Sequence, residues 1–455
     1  MTRRSAWLLV GLLALPCTAC TDDSATTPGT GGAGGDGSGA SAGDGGASDG
    51  GAGGGMGCDG VDCGHGTCEV TEGTAACTCD EGYRASGLAC VPDDDRPAPA
   101  CTLTIADGLI DAVASAADGA VICLSAGTYE GSTFEAVTKG ADVTVRPVDG
   151  ASVSITGMAI NACSHLRFTG LGGSMTIAGI DVDPAEGNAA STWMTFDHIA
   201  FTEAISLRAR GVDLHWLIHK NTFIDIEAAL WEGRISVRGF GATADQGITI
   251  SENYFSGGGP THTSDGIQLI DGANGVVIRG NEFTNIIQGD YDEHADPIQI
   301  YGASNIVVDG NYFHHNGDGT GGLEDFDGGG SGMVVTNNVF HSTGIFPWSI
   351  AAASAQGWRI EHNTFVGGGS IRIDGQASGN IVRDNLWVDG GLSIEGGGVS
   401  NDHNLNCGQP GDGNLTGTPT FVGGASPTTY AGFALAPGSI GENASSGGTN
   451  MGVIP

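Results

Sequence analysis

Over the last two-thirds of the chain, short β-branched runs alternate with polar turns at a nearly constant interval. An asparagine followed two positions later by an aromatic residue recurs as Asn221-Thr-Phe223, Asn253-Tyr-Phe255, Asn281-Glu-Phe283, Asn311-Tyr-Phe313, Asn338-Val-Phe340, Asn363-Thr-Phe365 and Asn385-Leu-Trp387. The steps between these asparagines are 32, 28, 30, 27, 25 and 22 residues, a period that indicates stacked coils. Each motif follows a short apolar strand (Val276-Val-Ile278, Ile306-Val-Val308, Met333-Val-Val335), and most precede a second (Ile267-Gln-Leu269, Ile298-Gln-Ile300, Ile371-Arg-Ile373). Two or more strands per coil at this period predict an all-β parallel β-helix solenoid. Asparagines stacked from coil to coil satisfy backbone groups that no regular ladder covers, and the aromatic residues stack inside. These asparagines are therefore assigned to structure and not to catalysis.

Upstream, Leu109-Ile-Asp-Ala-Val113-Ala-Ser-Ala-Ala117 carries its apolar residues on one face and predicts a helix. A strand, Val121-Ile-Cys-Leu124, and a turn, Ala126-Gly-Thr-Tyr129, follow. This order resembles the N-terminal cap of the pectate-lyase-like β-helix superfamily, and Leu435 to Ser439 ("LAPGS") resembles its closing coils. The resemblance spans residues 101–455 and implies a right-handed parallel β-helix. A solenoid needs such a cap to cover its apolar end and open strand edges. Cys101 and Cys123 flank the helix and are expected to bridge. Cys163 and Cys407 lie far apart along the solenoid, and no bridge between them is expected.

The N-terminal fifth is of a different character. Arg3 and Arg4 precede an apolar stretch from Ala6 to Pro16, too short to span a bilayer as a mature helix, and the pattern predicts a secretory signal over 1–19. Pro16-Cys17-Thr18-Ala19-Cys20 resembles a bacterial lipobox, which implies lipidation of Cys20 and a cell-surface lipoprotein; cleavage after Ala19 without lipidation is the alternative, since Cys17 stands where the pattern prefers leucine. Residues 20–57 read as a flexible tether rich in Gly, Ala and Ser. Cys58, Cys63, Cys68, Cys77, Cys79 and Cys90 then crowd a segment too short to stabilise itself by burial alone, so disulfides are expected, with fifteen connectivities open. With Cys63-Gly-His-Gly-Thr-Cys68 and Cys79-Asp-Glu-Gly82-Tyr83, the segment 58–90 resembles an EGF-like module. That resemblance implies Cys58–Cys68, Cys63–Cys77 and Cys79–Cys90. The acidic residues of calcium-binding members are absent before Cys58, so the module is expected to bind no calcium and to act as a spacer. Residues 91–100 form the joint to the solenoid.

Composition narrows the partners. The 455 residues include 82 glycines, and 16 Lys+Arg stand against 52 Asp+Glu for a net charge of −36. Such a surface excludes nucleic acid, and an anionic ligand requires local arginine or bridging metal. Membrane contact is expected only through the lipid, and a monomer is expected.

Candidate chemistry lies where the repeat is broken. Alignment of the second strands stacks Ser206, Ser236, Gln268, Gln299 and Ser349 in one outward column and Arg208, Arg238, Ile270 and Tyr301 in the next, a flat platform for a polysaccharide. Before these strands stand His262, Asp265 and Gln268 on one coil and Tyr291, Asp292, Glu293, His294, Asp296 and Gln299 on the next. Glu324, Asp325 and Asp327 follow at the same corner. Coils lie about 4.8 Å apart, so Asp265 and Asp296 are placed to share a metal ion or a proton. His294-Ala-Asp296-Pro-Ile-Gln299 is similar to a motif of sugar-active β-helix proteins, and this implies lyase or epimerase chemistry on a uronic acid polymer. Asp265, Asp292, Glu293 and Asp296 are candidate Ca²⁺ ligands, Arg238 a candidate cation, and His294 or Tyr291 a candidate base. Arg208, Gln268, Gln299 and Tyr301 are candidate substrate contacts. Asp265 and Asp296 as the acid–base pair of a glycoside hydrolase is a second reading. A non-catalytic adhesin or glycan-binding solenoid, with the same carboxylates capping turns, is a third.

Overall fold

The computed structural model describes residues 97–182, 190–211, 215–226, 233–240, 247–257, 264–287, 295–317, 319–325, 330–341 and 348–455, together with 58, 63, 65–71, 74–81, 83–86 and 89–93. The described residues build three long parallel sheets that share one apolar interior. The first has 13 strands, from Leu103–Ile105 to Val399–Asp402; the second has 11, from Gly127–Tyr129 to Leu386–Trp387; the third has 11, from Ser132–Glu135 to Gly391–Glu395. One coil contributes one strand to each sheet. The second sheet consists of the aromatic-bearing segments themselves, such as Thr222–Ile224 and Tyr254–Ser256, where the repeat alone suggested only a turn.

Local chemistry explains the coil. A first-sheet strand ends on a residue in the left-handed region, Gly280 at φ 62°, Gly310 at φ 69°, Asn337 at φ 55° and Asp384 at φ 59°, residue types that tolerate this conformation. The ladder asparagine comes next. The backbone N–H and Nδ2 of Asn281 both donate to Oδ1 of Asn311, at 2.9 and 3.0 Å, and Nδ2 also donates to the carbonyl of Ile250. The same bonds run from Asn221 through Asn385 to Asn404, beyond the seven expected members, and the N–H of Asn404 donates in turn to Oδ1 of Asn414. Two residues on, the side chain points inward: Phe223, Phe255, Phe283, Phe313, Phe340, Phe365 and Trp387 stack with centroids 4.7–5.0 Å apart.

The helix over Leu109–Ser115 buries Leu109 and Val113 against the first coil, and a disulfide joins Cys101 to Cys123. Cys163 and Cys407 are free and buried. The disulfides Cys58–Cys68, Cys63–Cys77 and Cys79–Cys90 tie the N-terminal segment, whose two hairpins pair Gly66–Thr71 with Thr74–Cys79 and Tyr83–Ser86 with Ala89–Pro92. Residues 55–455 form one unit, and within it this segment is docked on the solenoid. His65 stacks on Tyr83 at 4.1 Å, meets the edge of Tyr254 at 5.0 Å and bonds Glu282, while Arg84 donates to the carbonyl of Gly173. Four disulfides are the chemistry of an oxidising compartment and agree with export. Among the described residues no helix is long and apolar enough to cross a membrane. The signal, Cys20 and the tether lie outside the described residues.

Candidate functional site

The third sheet carries the two outward columns. Ser206, Ser236, Gln268, Gln299 and Glu324 stand in register on successive strands, and Arg208, Arg238, Ile270 and Tyr301 stand in register beside them. The first column then continues through Ala351 and Arg372. Ser349 is not in it. Ile350 pairs with Leu323 and Ala351 with Glu324, so Ser349 stands two residues before the column position, and it is fully buried. The surface is also not a flat open platform: Ser236, Gln268 and Gln299 are 1%, 2% and 6% exposed although they alternate with core residues.

The two aspartates are linked through the backbone. Oδ1 of Asp265 accepts the N–H of Asp296 at 2.8 Å, and Oδ1 of Asp296 accepts the N–H and hydroxyl of Thr320 at 2.6 and 2.7 Å. Each carboxylate thus caps the turn of the following coil, and Asp296 is fully buried. Asp325 turns inward and accepts from the N–H of Gly330 at 2.8 Å; it does not face the corner at which it was expected. Tyr291, Asp292, Glu293, His294, His262 and Asp327 lie outside the described residues. Among the described residues no three His, Cys, Asp or Glu side chains group to hold a metal ion. With one oxygen of Asp265 and one of Asp296 already committed to backbone, these two residues alone do not make a calcium site.

From Asp265 a side-chain ladder runs outward. Nε2 of Gln268 lies 3.4 Å from Asp265 Oδ2 and donates to Oε1 of Gln299 at 2.9 Å; Nε2 of Gln299 donates to the hydroxyl oxygen of Tyr301 at 3.0 Å. Oε1 of Gln268 and Oγ of Ser206, in the same column, are buried without a hydrogen-bond partner. Native proteins leave few such atoms.

Sequence reasoning passed over Arg234. It precedes the inward Ile235 on the strand Gly233–Phe240, and nothing in its neighbours marks it. The structure buries it to 1% exposure, with Nη2 donating to the Gly257 carbonyl at 3.3 Å and with Nε and Nη1 unbonded. Burial pulls its pKa down to about 10, and the charges of Asp225 and Asp265 act in the opposite sense, so it remains a cation at neutral pH. Five of the chain's 16 basic residues, Arg208, Arg210, Arg234, Arg238 and Arg372, lie on third-sheet strands.

Residues 204–406 match the family model described as "Right handed beta helix region". The fold is a right-handed parallel β-helix. No curated protein sequence matches the chain. Among solved structures the β-helix is similar to the PL6 family alginate lyase AlyGC, at 15% identity and a TM-score of 0.44 over 74% of this chain and 56% of that one. It is similar to the PL6 family polysaccharide lyase Pedsa3628 from Pseudopedobacter saltans, at 12% identity and 0.41 over 74% and 87%. It is also similar to the A-module of the Azotobacter vinelandii mannuronan C-5 epimerase AlgE6, at 12% and 0.36 over 68% and 94%. The matched part of the chain spans 56% of the length of AlyGC. These likenesses concern the course of the backbone.

Proposed function

We propose that the outward columns of the third sheet bind an acidic polysaccharide and that the chain acts on it as a lyase-like enzyme. The observation that carries this reading is a pair of guanidinium groups on the outward face, Arg208 and Arg238, in register on neighbouring strands. The carboxylates of a uronic acid polymer are held by such groups. In β-elimination, Arg238 would neutralise the uronate carboxylate so that the adjacent C–H becomes acidic; His294 or Tyr291 would take that proton, a ring C=C bond would form as the glycosidic C–O bond breaks, and the departing oxygen would take a proton from the solvent. Calcium would require Asp292 and Glu293 beside Asp265 and Asp296, and no step is assigned to it.

Incubation of the full chain with polygalacturonate and with alginate tests the reading. A rise in the ultraviolet absorbance of an unsaturated uronate, abolished in Arg238→Ala, supports it. Binding without turnover selects the glycan-binding solenoid, a reading favoured by the commitment of both Oδ1 atoms of Asp265 and Asp296 to turn capping. Absence of binding to every acidic polymer rejects both.

The same proposal places the protein at the cell surface, with Cys20 lipidated and residues 58–90 as an EGF-like module. The disulfide pairs support the module, and mass spectrometry of the mature N-terminus tests the lipid.

A further inference from the structure

Three successive coils carry an aromatic ring at a backbone position where later coils carry glycine or asparagine. His165, Trp193 and His215 immediately precede Leu166, Met194 and Trp216, which pair in register on neighbouring first-sheet strands. Followed further along the sheet, the same position is taken by Gly275, Asn305, Gly332, Gly357 and Gly379. The backbone is left-handed at all of these, with φ of 56°, 57° and 61° at the three rings and 53–73° at the other five. Glycine and asparagine adopt that conformation readily, whereas a bulky side chain is strained in it.

Burial does not account for that strain, because Trp193 is 47% exposed. The rings hold one another instead. His165 and Trp193 lie parallel within 6° at 5.5 Å, Trp193 and His215 within 14° at 3.8 Å, and Asp142 Oδ1 fixes His165 Nδ1 at 3.2 Å. Both faces of the indole are thus covered by imidazoles, and what it shows to solvent is its edge. The buried Trp216 and Trp358 donate their indole N–H to the carbonyls of Ser191 and Gly330. No hydrogen bond from another described residue engages the indole N–H of Trp193 or the ring nitrogens of His215. Strained residues kept without burial concentrate at functional sites.

The ridge stands at the corner where the third-sheet strands Met158–Asn161, Ile180–Val182 and Ile205–Gly211 give way to the first sheet. The last of these carries Arg208 and leads into His215. We infer that His165, Trp193 and His215 form a rim subsite of the third-sheet face, where a uronic acid polymer lays a sugar ring along the indole edge and accepts a hydrogen bond from the indole N–H. This rests on the polysaccharide reading above and adds a second place at which the polymer is held. A stacked indole is rigid, large and polar at one end, so it gives contact area with little entropy to lose. Hydroxyl and carboxylate oxygens of the polymer are the acceptors that its N–H requires. Charge favours the same occupant: the three rings contain no carboxylate, whereas the chain as a whole carries −36 and repels a polyanion.

The test measures binding of oligogalacturonate and oligoalginate to the full chain by calorimetry, with thermal unfolding of each variant alongside. Wild type is expected to bind at least one of them. Trp193→Gly installs the residue that later coils use at this position. It should unfold at the wild-type temperature or above, because glycine relieves the left-handed strain, and yet bind the oligomer roughly tenfold more weakly. Trp193→Phe, which keeps an aromatic ring and removes the N–H, should recover only part of that loss. If Trp193→Gly does not fold, Trp193→His keeps a ring in the stack, removes the indole and is expected to show the same weakening. A folded Trp193→Gly or Trp193→His that binds with wild-type affinity overturns the rim subsite, and in that case binding by the wild type leaves the polysaccharide reading intact. A wild-type chain that binds neither oligomer overturns the reading and this inference together.

Discussion

His65 Nε2, in the disulfide-bonded segment, lies 2.9 Å from one carboxylate oxygen of Glu282, and His314 Nε2 lies 2.9 Å from the other. A single carboxylate is thus shared by two imidazoles from elements more than two hundred residues apart. Burial tends to raise its pKa, but the hydrogen bonds from His314 and His65 and their charges outweigh it and hold Glu282 at about 2. The Glu282 value is depressed, so its contribution is present above the ordinary glutamate range and is lost as pH falls through about 2. Docking of the segment should therefore survive mild acid. His314 belongs to the solenoid, so only the His65 contact bears on docking; Glu282→Gln should loosen it at neutral pH, read as faster hydrogen exchange in the strand Tyr83–Ser86, and unchanged exchange would show that stacking of His65 on Tyr83 suffices.

The asparagine ladder should be costly to interrupt. Asn311 accepts two bonds from Asn281 and donates to Asn338 and to the carbonyls of Ile278 and Asp309. Asn311→Ala leaves buried donors and acceptors unmet on both neighbouring coils, an expected loss of about 3–5 kcal/mol. Chemical denaturation followed by circular dichroism checks it, and a loss below 1 kcal/mol would mean that water replaces the side chain.

The aromatic stack predicts a different kind of loss. Phe313 is fully buried between Phe283 and Phe340, at 4.9 and 4.7 Å. Phe313→Ala should cost about 3–5 kcal/mol through cavity formation, whereas Phe313→Leu should cost markedly less. Equal losses for the two variants would argue that ring stacking, and not volume, holds the coil.

The Cys101–Cys123 disulfide closes a loop with a sequence separation of 22 and should stabilise the helical cap by about 3 kcal/mol. In the double substitution Cys101→Ser with Cys123→Ser, the lost protection should be confined to the first coils, and binding at the third sheet should be unaffected. Proteolysis mapped by mass spectrometry distinguishes local opening from global loss.

The coil was legible in the sequence because its determinants are local: a left-handed residue, an asparagine and an aromatic two positions on occur within four residues of chain. The helix at Leu109 and the strand Val121–Leu124 were legible for the same reason. The expected strands before and after the motif appear with small shifts, as in Val307–Asp309 and Ser370–Asp374. The outward columns were legible where the apolar residues marked the register, and Ser349 was misplaced because Trp348 and Ile350 flank it as inward residues flank Gln268 and Gln299, whereas it is Ile350 that pairs with Leu323 and Ala351 that follows Glu324. Arg234 escaped notice for a further reason. Its burial depends on neighbouring coils, and a lone arginine beside an apolar strand reads as surface. The contact between His65 and Glu282 joins two distant elements, and neither residue carries a local sign of the other.

The asparagine ladder also determines how such a chain can change its length. Successive rungs are separated by 32, 28, 30, 27, 25 and 22 residues, yet the amide-to-Oδ1 distance is 2.9 Å at every one of them. Residues added or removed between rungs are absorbed by the arcs and leave the phase of the stack untouched, whereas a shift at the rung itself would put both neighbours out of step. The arcs are thus free to diversify one at a time. Gain or loss of material along the axis has a single seamless unit, the entire coil from one asparagine to the next.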